Sequence, residues 1–193
     1  MAIKSHQGPS NGPAVMAAAL AARMPASPLE YSPLGGAPHV GGPVPFYHLS
    51  LDQLPFDNAL DNAARTGWRY PVVGSIKAGL VDIRGDEGTN SASFGGLSHG
   101  VVAERFLQAS GLADGQLGSS VDEYEPRLLD VPALSFLALW LKAAGGDWFI
   151  PLLEGKPPGS APLQMVREIL PQLRAQAALR AVGGARPTSS PTN

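Results

Sequence analysis

The large apolar residues of this chain are concentrated in its middle. From Met1 to about Pro43, and again from Gly183 to Asn193, Pro, Gly and Ala dominate, while between them hydrophobic residues recur with readable periods. Ends of that composition gather too little apolar contact to offset the entropy of ordering them. The expectation is one domain over residues 44–182, a flexible segment over 1–43 with a short helix near 13–24, and a disordered tail over 183–193. A domain of this size buries enough surface to fold without metal or disulfide staples.

With 14 Lys+Arg against 16 Asp+Glu the formal net charge is −2, too weak a field to gather phosphate backbones or an anionic membrane. Nucleic acid is therefore not an expected partner. Cys is absent, which removes thiol nucleophiles, thiolate zinc sites and disulfides. Charged residues make up 16% of the chain against roughly 25% in ordinary domains, so much of the surface is uncharged or covered by a partner.

Near the N-terminus, Pro13 stands at a plausible first helical position before a run of strong helix formers ending at Met24. Met16, Leu20 and Met24 fall on one face of that helix and form a candidate docking stripe for a protein partner or for another copy of the chain. As a signal-peptide core the run fits poorly, being mostly Ala with Arg23 where a small residue is wanted near a cleavage site. A cytoplasmic location is the expectation.

The patterned region opens with an alternating strand over Phe46–Leu51. Phe56, Ala59, Leu60 and Ala63 then recur at helical spacing, with Pro55 early and Gly67 as a stop. Strands are expected over Trp68–Val73 and Ile76–Ile83, a polar turn over Asp86–Asn90, and a returning strand over Ser91–Phe94. From Val101 the period becomes helical until Gly111, and Tyr124–Leu129 reads as a short strand. Val131–Leu141 is apolar on nearly every side, which suits a fully buried helix and falls short of the roughly 20 residues that span a bilayer. Trp148–Leu153 reads as a strand whose Pro151 pushes it to a sheet edge, and Leu163, Val166, Leu170 and Leu173 mark an amphipathic helix bent or divided at Pro171. This order implies an α+β fold, with an antiparallel or mixed sheet and helices packed mainly on one face.

The stretch from Tyr124 to Leu141, with its Arg127-Leu128-Leu129, Val131-Pro132-Ala133-Leu134 and Ala138-Leu139-Trp140-Leu141, continues to Asp147 and Pro151-Leu152. It resembles short uncharacterised bacterial proteins that carry a similar run followed by an acidic residue and a Pro-Leu pair. The resemblance covers core-type residues and implies a shared fold and a bacterial origin. It implies no activity.

Gly96-Leu97-Ser98-His99-Gly100 fits the G-x-S-x-G pattern of a nucleophile elbow between a strand and a helix. In that fold the acid and the His follow the Ser along the chain, and no His follows His99. Ser98 as a nucleophile would need His48 as its base, acting from an upstream strand, or His99 from the adjoining position, a geometry that neighbouring side chains seldom achieve. Asp82, Asp86 and Glu87 gather at a hairpin tip without the spacing of a calcium loop, so no metal site is expected. Phosphate-loop, dinucleotide and zinc-protease motifs are absent, and no cofactor is expected. Three readings follow: a non-enzymatic binding or assembly protein acting through protein contacts, a small serine hydrolase using Ser98 and His48, and a domain that binds a small apolar ligand near Trp68, Tyr70 and Trp148.

Overall fold

This computed structural model describes residues 4–22, 39–74, 77–117, 123–153 and 163–184. Within them lie α1 (Gly12–Ala21), β1 (His39–Val40), β2 (Val44–His48), β3 (Ala64–Val73), β4 (Ala78–Arg84), β5 (Ser93–His99), α2 (Val101–Leu117), β6 (Glu125–Val131), β7 (Phe136–Lys142), β8 (Trp148–Pro151), β9 (Gln164–Met165) and α3 (Val166–Gly184). The strands form one mixed sheet in the order β5-β4-β3-β2-β6-β7-β8-β9, with β1 beside the end of β3. The fold is α+β.

Two antiparallel halves make up the sheet. β1 to β5 pair locally in one half, β6 to β9 in the other, and the join between them is the parallel pairing of Phe46, Tyr47 and His48 with Leu128, Leu129 and Asp130. Alternation assigns the two faces. Leu128, Leu139 and Ile150 pack under α2, whereas Leu129, Trp140 and Phe149 pack under α3. At the other end of the α3 face, Trp68, Tyr70, Val72, Val81 and Ile83 receive Met16 and Leu20 of α1. Two of the three helices thus share a face, and α2 covers the other.

The expected buried helix over Val131–Leu141 is instead a 3₁₀ turn, Pro132–Leu134, followed by β7. Ser135 closes that turn in the left-handed region (φ 52°), and the chain then runs straight between β6 and β8. Because β7 has α2 on one face and α3 on the other, all but its last residue are buried and no period of two survives in the sequence. The expected helix beginning at Pro55 is also corrected: Leu51–Asn62 is a series of tight turns. The amides of Gln53, Phe56, Ala59 and Asp61 each donate to the carbonyl three residues earlier, and the side chains of Gln53, Asn58 and Asn62 compete for local partners. Leu54 and Ala59 still plug into the α3-side core.

Other boundaries shift outward. β5 extends to His99, α2 runs past Gly111 to Leu117, and α3 continues through Pro171 without dividing. Pro151 pairs with Ala138 beyond the reach of β9, on the stretch of β8 whose outer side has no strand among the described residues.

Candidate functional site: an apolar cavity beneath α2

The inner stripe of α2 is Ala103, Phe106, Ala109, Ala113 and Leu117, three of its five members alanine. Small residues bring the helix close to the sheet yet leave its C-terminal half short of bulk. Opposite, the sheet presents Pro71 and Pro126, and Pro43 stands at the start of β2. Their rings are fixed to the backbone and cannot swing inward to fill space. The outcome is a cavity of about 290 Å³, floored by Val44, Leu139 and Leu141 and walled by Phe106, Leu107 and Tyr124. Polar groups are few and lie among Lys4, Ser5, His6, Ser110 and Asp114. Ser110 is already satisfied, its Oγ donating to the Phe106 carbonyl at 2.9 Å.

Lys4, Ser5 and His6 belong to an N-terminal strap that runs from residue 4 into α1. Its path is set by hydrogen bonds to both halves of the sheet. The Lys4 amide donates to the Tyr124 carbonyl (3.0 Å), the Gly88 amide to the Gly8 carbonyl (2.8 Å) and the Ser10 amide to the Thr89 carbonyl (2.8 Å). Asn11 donates from Nδ2 to the Asn90 carbonyl and accepts at Oδ1 from the Ala92 amide, both at 3.0 Å. Residues 4–22, within the segment expected to be flexible, therefore lie against the domain.

His6 is the strap's inward side chain, 12% exposed, edge-on to Trp68 with ring centroids 5.7 Å apart. Its Nε2 stands 3.2 Å from Glu125 Oε1 without the alignment of a hydrogen bond, and Nδ1 is 3.9 Å from Glu87 Oε1. Burial lowers the His6 pKa, outweighing the pull of the Glu125 and Glu87 carboxylates. Burial acts to raise Glu125, but the Arg127 hydrogen bond (2.6 Å) and charge, with His6 and Lys4, hold it below the ordinary range. At neutral pH the strap presents a neutral imidazole to two carboxylates that each already have a guanidinium partner, Arg127 for Glu125 and Arg65 for Glu87.

The residues expected to act together do not all converge. Ser98 lies in the sheet-edge strand β5 opposite Leu80, and His48 at the far end of β2 opposite Ala64. Three strand spacings separate them across the sheet, about 14 Å, and seven residues along β3, about 23 Å. No proton can pass directly between them, so the pairing of Ser98 with His48 is overturned by the strand order. Met16 and Leu20 are 5% and 7% exposed, packed on their own sheet rather than presented to a partner, and Met24 lies outside the described residues. Trp68 and Tyr70 sit on β3 beneath α1, whereas Trp148 sits on β8 against the α2-side core, with β2, β6 and β7 between. As a ligand-binding trio they are corrected by this separation: Trp68 and Tyr70 are buried, the Trp68 indole donating its N–H to the Gly85 carbonyl (3.0 Å), while Trp148 is half-buried beside a groove lined by Met165 and Arg167.

Asp82 is held by Arg69 Nε (2.8 Å), and among the described residues no cluster of His, Asp and Glu could hold a metal ion. None of the described helices is long and apolar enough to cross a membrane. The cavity was missed because its signal is indirect: prolines at three cavity-lining positions of the sheet side and an alanine-rich helix stripe. Comparison with protein-family models, with curated proteins and with solved structures gives no match.

Proposed function

We propose that this protein is a non-catalytic binding domain that takes a small, neutral, apolar molecule into the cavity beneath α2. One observation carries the reading: a space of about 290 Å³ with carbon on nearly all its walls. Ligand pockets begin at about 300 Å³, and a dry apolar cavity of about 150 Å³ suffices for a benzene-sized guest. Rigid proline and aromatic walls keep the space preformed, which lowers the ordering cost of binding. Lys4 and Asp114, of opposite charge, stand at its margin, which favours a ligand without net charge.

Titration with the neutral fluorophore N-phenyl-1-naphthylamine tests this. Saturable one-to-one enhancement is expected, abolished by Ala113→Phe, which places a ring in the cavity from a residue only 3% exposed. A signal that does not saturate, or one that Ala113→Phe leaves intact in a folded protein, overturns the reading.

A further inference from the structure

The strap is anchored unevenly. From Gly8 to Asn11 it is tied to the turn around residues 86–92 by the hydrogen bonds given above, and α1 beyond it is fixed by Met16 and Leu20. Residues 4–7 have one backbone hydrogen bond among the described residues, from the Lys4 amide, and Lys4, Ser5 and Gln7 are exposed. Gly8 separates the two portions at φ +64°, where a side chain is strained, and a Cβ there would stand 2.7 Å from Tyr70 Oη.

We propose that residues 4–7 are a flap that swings about Gly8 and gates the cavity, with the His6 side chain as its latch. This regulation rests on the reading of the cavity as a binding site. Segments with few backbone bonds and little buried surface open well before the fold does, and lifting this one removes three of the residues that line the cavity. Apart from Lys4 on the flap itself, the groups facing the latch come from elsewhere in the domain: Glu125 and Arg127 from β6, Glu87 from the β4–β5 turn, and Arg65 and Trp68 from β3. Because Arg127 and Arg65 already occupy the two carboxylates, His6 leaves without stranding either of them. Its retention in the closed state comes from ring burial against Trp68, and its Nε2 adds no aligned hydrogen bond.

A chain without cysteine lets a single introduced thiol report the opening. Ala113→Cys puts a thiol on the cavity wall, and Ala138→Cys puts one in β7 on the opposite face, 0% exposed under α3. In the full chain, adding His6→Ala is expected to speed N-ethylmaleimide labelling at position 113 by at least about tenfold and to leave position 138 unchanged. An unchanged rate at 113, or equal acceleration at both positions, overturns the flap. Gly8→Ala, which displaces the same hinge by strain, is expected to give the same pattern and decides the matter where His6→Ala fails to fold. No ligand enters this assay. Failed fluorophore binding with a gated thiol therefore refutes the binding reading alone, and intact binding with an ungated thiol refutes the flap alone.

Discussion

Removing a hydroxyl should make this protein more stable. Tyr70 is 2% exposed, and its Oη has no hydrogen-bond partner; burial raises the phenol pKa, with no other cause acting. A buried polar group left unpaired costs about 1–3 kcal/mol. Tyr70→Phe deletes that cost and gives back part of it as a gap the size of one oxygen beside Gly8 and Gly12, so a net gain of about 1 kcal/mol is expected. In a domain of this length that raises Tm by about 2–4 °C. Urea denaturation followed by tryptophan fluorescence and circular dichroism measures it. A Cβ added at Gly12 would lie 2.6 Å from Oη but 3.5 Å from Cζ. Gly12→Ala should therefore destabilise the parent and be neutral or stabilising in the Tyr70→Phe background, a coupling of at least about 0.5 kcal/mol. Destabilisation by Tyr70→Phe, or strict additivity of the two changes, refutes the reasoning.

Met16→Ala is expected to cost about 2–5 kcal/mol, as for a core residue; a loss within about 0.5 kcal/mol in urea denaturation would restore a free surface stripe. Asp130 is raised by burial, with Arg69 and His48 partly opposing, so the folded state favours its neutral form. That contribution is fully present below the ordinary aspartate pKa and lost as pH rises through the raised value. Asp130→Asn should accordingly gain stability relative to the parent on going from acid to neutral pH, and a difference that shrinks over the same range counts against it.

Much of the architecture was legible in the residues themselves. Pro13 and the helix formers behind it mark α1, and the alternation of Trp68, Tyr70 and Val72 marks β3. β7 was not legible, because two covered faces erase the period that distinguishes a strand from a buried helix. The turns over Leu51–Asn62 imitate helical spacing at Phe56, Ala59, Leu60 and Ala63, while Asn58 and Asn62 divert the backbone by local bonding. The candidate site was less legible still. A cavity is a deficit of volume between elements distant in sequence, and the strap's position depends on main-chain bonds to Gly88, Thr89 and Tyr124 that no side-chain pattern announces.

The parallel join between β2 and β6 pairs residues 82 positions apart, Phe46 with Leu128, while the β3–β4 and β6–β7 ladders close over short connections. Closing so long a loop carries a larger entropic cost than closing the short ones, so each half is expected to assemble before the two join. The cavity draws walls from both partners in that union, Val44 and Pro71 from one, Pro126 and Leu139 from the other, and the strap bonds to both as well. A guest lodged there would act as mortar across that joint, and its occupancy would add to the cohesion of both halves.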